Sequence, residues 1–364
     1  MRAYLFADFD ELPDHYHSLF EAAGQEDFYF SLPWYRNLTK TTIDVNDTLI
    51  LVGIESNDNA QSTARALIVL RKRATKTGFL QPRTLHLFEN VYTMIAGPVI
   101  RPDEVDIETV MQTLASYLRH EFKKIDVIQL GSMDPDSTAY KVLETDLRQP
   151  GFMVQRIFSF INWYEPTAGI TYASYFSSLT GQRSILRKQI KKLESAGIVR
   201  WKLVSKPNEI KSAMADYATV YRNSWKQTEL YPDFIDGFVD ACAQMDCLRI
   251  GVLYLDDQPA AAQIWTLTNG KATIYKIAYD EQFKSYSVGS VLTMRMMQHI
   301  LDDDKAAIVD FGYGNDPYKK DWTRQQRDRM GLLIFNLRSV RGFFSAGKFI
   351  LRKVAVAAKN RVRT

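Results

Sequence analysis

The sequence predicts a mixed α/β protein of two tandem halves, each a mostly antiparallel mixed sheet flanked by helices, followed by a basic C-terminal helix. Three observations carry that expectation. Adjacent strand-like segments lie between helical ones in the second half, which favours a mixed sheet over a doubly wound parallel one. A helix-then-strand segment at 110–131 echoes one at 291–312, with Val110 on Val291 and Gly131 on Gly312, as duplication of one α/β unit would produce. The chain has 364 residues, 46% of them hydrophobic and 12% aromatic, enough for two domains with substantial cores.

In the first half, residues 110–120 have helical periodicity and 125–130 alternate as a strand that stops at Gly131. A strand-like piece at 92–96 precedes them and resembles 275–278 in pattern. The clearest break is Glu165-Pro-Thr-Ala-Gly169, which divides the chain into 1–165, 166–336 and a tail, 337–364. Beyond the break, a basic helix at 182–196 is stopped by Gly197, a strand runs 199–204, and a longer helix runs 207–226. Residues 248–255 and 260–268 read as a hairpin around Asp256-Asp257-Gln258-Pro259. Gly270 turns the chain into another strand, a polar turn at 284–289 follows, then a helix at 291–301 and a strand at 307–311 ending at Gly312.

Charge and composition exclude several classes. Lys plus Arg number 46 against 42 acidic residues, and a net charge of +4 does not argue for nucleic acid. No basic patch interleaves with aromatics as nucleic-acid readers require. No window approaches 18 apolar residues, and the N-terminus turns acidic within eight residues, so a cytoplasmic protein is expected. Cys242 and Cys247 suit neither a zinc knuckle nor a disulfide framework, and the five histidines show no metal-ligand spacing, so no metal is expected. Gly342 to Lys348 imitates a phosphate-binding P-loop, but Phe349 stands where a magnesium-binding Ser or Thr is needed.

The pieces RSILRKQIKKLESAG, YRNSWK, LRIGVLYLDDQPAAAQIW, YKIAYDEQFKSYSVGSVL and VDFGYGNDPYKKDWT occur in that order between Gly181 and Asn336. Together they resemble the GNAT acyltransferase fold, and within it the CelD-type family associated with bacterial surface-polysaccharide synthesis, related to Fem-type peptidyltransferases. The first 165 residues resemble the degenerate first half of such two-domain proteins. The resemblance implies acetyl-CoA or another acyl-CoA as co-substrate and a sugar or lipid-linked sugar acceptor. Its alternative is a Fem-type enzyme taking an aminoacyl group from tRNA, although no long helical-arm insertion is evident. A third reading is a catalytically degenerate scaffold in a polysaccharide-synthesis complex.

The family's phosphate loop, Arg/Gln-x-x-Gly-x-Gly/Ala, places Lys284 at its first position, Ser287 at its first glycine and Gly289 at its second. Val288 and Ser290 complete the turn. First-turn N–H groups have no intrahelical partner and the helix dipole adds positive potential, so small residues there admit a pyrophosphate. Ser287 departs from glycine, a poor choice if the position needs a positive φ; its bland role is to cap the helix. By the same resemblance, the backbone of Lys276, Ile277 and Ala278 pairs with the pantetheine arm. Asp310, at a strand end, is the candidate base or substrate anchor, or else an ordinary ion-paired acid. Tyr318, one residue after Pro317, is the candidate acid for the thiolate, or a ring packed on the sheet. Lys319 is a candidate for a phosphate or an acidic substrate group. Arg187 and Lys191 share one face of the basic helix, which is either a solvated face or a ledge for an anionic acceptor closed by Arg222 and Trp225. Trp225 is expected in the core more than at a ligand.

The tail holds eight basic residues and no acid. At 100° per residue Val340, Phe343, Phe344, Ile350, Leu351, Val354 and Ala358 fall on one side, and Arg338, Arg341, Lys348, Arg352 and Lys359 on the other. Such a helix suits either peripheral contact with an anionic membrane or docking on its own domain.

Overall fold

In the computed structural model, residues 1–58, 61–73, 81–179 and 182–361 are described. Gly181, where the resemblance begins, and residues 362–364 of the tail lie outside them, as do the side chains of Arg183 and Lys359. The first half runs β1 (Arg2–Phe6), α1 (Asp14–Glu26), α2 (Leu32–Thr42), β2 (Thr48–Asp58), β3 (Gln61–Lys72) and β4 (Thr84–Leu87). It continues through the short β5 (Val99–Ile100), α3 (Ile107–Glu121), β6 (Val127–Met133), α4 (Thr138–Leu147) and β7 (Phe152–Pro166). The second half opens with α5 (Tyr172–Ser178) and α6 (Gln182–Ala196), then β8 (Val199–Val204), α7 (Pro207–Arg222) and α8 (Phe234–Gln244). There follow β9 (Leu248–Leu255), β10 (Gln258–Thr268), β11 (Lys271–Tyr279), α9 (Val288–Asp302), β12 (Ile308–Tyr313), β13 (Gln325–Asn336) and α10 (Val340–Arg361).

All these strands join one mixed sheet in the order β1-β2-β3-β4-β6-β13-β7-β12-β11-β10-β9-β8, with β5 beside β3. The two halves are mirrored in it. Antiparallel β1 to β4 close on a parallel β6, and antiparallel β8 to β11 close on a parallel β12. Each parallel pair is three residues long: Thr84, Leu85 and His86 face Val127, Ile128 and Gln129, while Lys271, Ala272 and Thr273 face Ile308, Val309 and Asp310. The echoing segments 110–131 and 291–312 therefore occupy equivalent places, α3 into β6 and α9 into β12.

The last strand of each half crosses to the other. β13 lies between β6 and β7, and β7 lies between β13 and β12. Helices cover both faces. On one face α1, α2, α7 and α8 share a core in which Phe28 meets Phe238 edge-on at 5.4 Å and Trp34 meets Phe234 at 5.7 Å. On the other, α3 and α4 pack on the first half, and α5, α6 and α9 on the second.

Most expected elements form, and two differ. The 248–268 hairpin turns at Asp256 and Asp257, both with positive φ, as the twist of a two-residue hairpin demands. Residues 92–96 are a turn and not a strand, because the Asn90 side chain accepts the Tyr92 N–H at 2.9 Å and the Thr93 hydroxyl accepts the Asn90 N–H. The helix expected over 207–226 stops at Arg222: Asn223 donates to Asp280 at 2.6 Å, and the Tyr221 hydroxyl donates to the Gln227 carbonyl. That early stop releases Trp225 and Lys226 from the helix.

Candidate active site

Past their three parallel pairs, β11 and β12 part, and the cause lies in both strands. β12 bends at a bulge against β7 between Asp310 and Tyr313, with Gly312 at φ 71°. A Cβ there would also stand 3.0 Å from the Ile274 carbonyl oxygen, so both the dihedral and the close approach require glycine. β11 has its own irregularity at Tyr275, the residue left unpaired where Lys276 faces Ile264 and Ile274 faces Trp265.

Asp310 holds the β12 bend. Its carboxylate accepts the Gly312 N–H at 2.8 Å and an Asn162 N–H at 2.7 Å, and pairs with Arg327 at 2.9 Å. Burial alone would raise its proton affinity, but Lys271, Arg327 and Asn162 outweigh burial and hold the carboxyl below the ordinary value. Asp310 does not line the cavity described next, so it stands as a buried, ion-paired acid that shapes the opening.

The opening leads to a cavity of about 600 Å³. Its walls include Lys276, Ile277 and Ala278 from β11, Gly289 and Ser290 from α9, and Tyr318, Lys319 and Trp225. Sequence reasoning thus named much of the wall. α9 points its first turn at this space. Gln263, buried in β10, fixes the helix start by donating to the Gly289 carbonyl at 3.1 Å and to Thr293 at 2.8 Å, while Trp265 donates to Gln263. No side chain caps α9, and its first turn carries no acid. Ser287 is not a cap: it sits in the left-handed region at φ 53°, the conformation for which the family pattern has glycine. Gly289 lies against Tyr279, whose ring carbon would be 3.2 Å from an added Cβ.

The corresponding place in the first half is filled. α3 is capped by Asp106, which accepts the Thr109 N–H, and Glu104 accepts the Asp106 N–H, so carboxylates already occupy that helix end. Where β4 and β6 part, Glu89 lies so close to Gly131 that its carboxylate stands where a side chain there would begin. Burial pushes the Glu89 carboxyl up to about 7.

The chemistry-bearing groups of the cavity differ in availability. Burial, reinforced by Asp316, pushes the Tyr318 hydroxyl well above its ordinary value, so it keeps its proton. That hydroxyl has no hydrogen-bond partner among the described residues. Lys319 lines the cavity but is fully buried, its ammonium held by the Tyr313 and Gly314 carbonyls and by Asp316. Trp225 is half exposed with its ring 4.3 Å from Tyr279, a cavity wall and not core.

Sequence reasoning missed Lys226, Tyr92 and Glu229. Lys226 lines the cavity, and burial together with neighbouring Lys276 pulls it down to about 8. Its ammonium lies 5.7 Å from the Trp225 ring and forms no salt bridge among the described residues, although Glu229 and Asp316 lie near enough to offset part of the shift. Glu229 accepts from Lys276 at 2.7 Å and from the Tyr92 hydroxyl at 2.7 Å, and Lys276 stands over the Tyr92 ring. Tyr92 comes from the first half, and only the folded chain brings it to this wall.

Five further expected residues lie elsewhere. Lys284 is exposed and paired with Glu281, and Val288 is buried in the core. Arg222 is exposed at the end of α7 and reaches only Thr219. Arg187 stands over Phe176, and exposed Lys191 does not reach the cavity, because α6 packs beside the 281–286 turn, where Lys192 donates to the Ser285 carbonyl. The basic helix therefore flanks the outside of the α9 turn and forms no ledge with Trp225.

Comparison with known proteins agrees with this geometry. The family model described as an acetyltransferase (GNAT) domain matches residues 180–320. The crystal structure of FemX superposes with a TM-score of 0.61 at 11% identity, covering 93% of this chain and 98% of that one. A conserved protein of unknown function from Bacteroides thetaiotaomicron gives 0.56 at 11%, covering 91% and 100%. L-PGS from Bacillus licheniformis gives 0.50 at 11%, covering 89% and 96%. Among curated proteins none matches. At such identities the likeness to solved structures speaks for the fold alone, and the family match speaks for the second half: residues 180–320 match the acetyltransferase (GNAT) domain model, and they lie in a mixed α/β fold of two mirrored halves.

Proposed function

We propose that the protein is an acyl-CoA-dependent acyltransferase, with acetyl-CoA as the simplest donor, acting on an amine or hydroxyl of a cell-envelope or polysaccharide-precursor sugar in the manner of the CelD-type family. The observation that carries this reading is the acid-free, uncapped start of α9 opening into the same cavity as the parted edge of β11. Acyl-CoA supplies an activated acyl group as a thioester. The first-turn N–H groups at Gly289 and Ser290 suit its pyrophosphate, and the backbone of Lys276 to Ala278 suits its extended arm. Lys226, in its neutral form, takes the proton of the acceptor as that atom bonds to the acyl carbon. Tyr318 gives its proton to the departing sulfur. Trp225 and Tyr279 line the cavity with aromatic rings against which a sugar can stack.

Calorimetry with acetyl-CoA tests the reading. Wild type binds, and Gly289→Glu, which puts bulk and negative charge at the helix start, abolishes binding. Because a side chain at 289 also presses on Tyr279, Ser290→Asp serves as a second charge test. Unchanged affinity in both variants sinks the assignment. A thermal-shift panel of acetyl-CoA, longer acyl-CoAs, nucleotide-sugars and tRNA then identifies the donor; stabilisation by tRNA with none by any acyl-CoA would replace this reading with the aminoacyl one.

A further inference from the structure

The last helix is attached by a narrow stripe. Ala346 is buried, and Phe349 packs with Val127, Leu333 and Phe335, its ring 5.5 Å from that of Phe335. One turn further, Lys353 donates to Gln155 at 3.2 Å. Docking therefore occupies one side of α10 and leaves the rest uncovered. Rotating around the helix from that stripe, Val340, Phe343, Phe344, Ile350, Leu351 and Val354 come next, between 48% and 70% exposed. Large apolar residues scattered singly on a surface are ordinary, but six on one side of one helix make an interaction surface. Beyond them lie Arg341, Lys348 and Arg352, and residues 337–364 contain no acid. Exposed Lys123 and Lys124 add positive charge where the helix leaves the sheet, since Asn336 donates to the Lys123 carbonyl.

We propose that α10 is a peripheral membrane anchor whose apolar stripe enters the surface of an anionic bilayer while its arginines and lysines meet the lipid phosphates. The charge selects this occupant: an apolar stripe whose free edge carries Arg341, Lys348 and Arg352, on a helix without acids, matches a negatively charged lipid surface. Among the described residues no helix is long and apolar enough to cross a membrane, so α10 lies in the plane of the interface. The anchor is independent of the acyl-transfer reading, and its test uses no substrate.

The full chain is co-sedimented with vesicles of phosphatidylglycerol and phosphatidylcholine, and separately with phosphatidylcholine alone. We expect binding to the anionic vesicles that falls at least tenfold between low and high salt, and little binding to the neutral ones. Phe343→Glu combined with Leu351→Glu should lose binding at least tenfold with an unchanged melting temperature, since both residues are exposed. Lys348→Glu with Arg352→Glu should weaken it in the same direction. Retention by these variants, equal binding to both vesicle types, or no binding at low salt overturns the proposal. Self-association abolished by Leu351→Glu in a chain that ignores vesicles also overturns it, and would make the stripe an interface between copies.

Discussion

Lys226 shows how one side chain acquires chemistry from its surroundings. An exposed lysine titrates near 10.4 and is almost wholly charged at neutral pH. Here burial and the nearby Lys276 favour the neutral form, bringing the group to about 8. The proposed mechanism uses the neutral amine as its base, so kcat/KM should climb with pH and level off above about 8. Lys226→Gln should cost about 10²-fold in kcat and remove that climb, the usual scale for general base catalysis. A variant that keeps both the rate and the pH profile leaves Lys226 as a mere wall residue. Asp310 teaches the opposite lesson. A strand-end acid looked suited to catalysis in the sequence, but its oxygens are committed to Gly312, Asn162 and Arg327. The partners that commit them lie as far as 148 residues away, so no local pattern could reveal it.

At the scale of the element, the start of α9 is the feature on which the proposed donor binding rests. Ser287 occupies a left-handed conformation that costs a non-glycine residue roughly 1 kcal/mol, and its hydroxyl caps nothing. Ser287→Gly should therefore stabilise the protein by about 1 kcal/mol and leave acetyl-CoA affinity equal or higher. A lower melting temperature for this variant would mean that the serine makes a contact which offsets its strain. The first half displays the same α/β element with its helix end already occupied by Asp106 and Glu104. Similar backbone geometry with opposite charge at the helix start accounts for one candidate donor site and not two.

At the scale of the whole molecule, the exchange of β7 and β13 joins the halves. β13 of the second half pairs with β6 of the first along one edge, and β7 of the first pairs with β12 of the second. The aromatic core beneath α2 and α8 is also shared. Separating the halves at residue 165 would expose backbone ladders and aromatic surface together. We therefore expect one cooperative unfolding transition in urea, coincident by circular dichroism and tryptophan fluorescence. We also expect that chains 1–165 and 166–364 fail to fold when made apart. Two resolved transitions, or a soluble and cooperative 166–364 fragment, would contradict this.

The sequence by itself determined what is local. Periodicity located α9, β12, the 248–268 hairpin and the basic tail, because each depends on near neighbours and on turn residues such as Asp256 and Asp257. The echo between 110–131 and 291–312 was legible for the same reason. The phosphate-loop pattern singles out Gly289 and the peculiarity of Ser287 from neighbouring residues alone. Tertiary structure alone decided where distant side chains meet. It withdrew Asp310 and Lys319 into buried pairings, turned α6 away from the cavity, and brought Tyr92 across from the first half. It also showed that α10 is docked on one side and bare on another. The physical reason is the same throughout: hydrogen bonds within a helix or hairpin are encoded by adjacent residues, whereas burial, charge pairing and cavity walls depend on strands that only the complete sheet sets side by side.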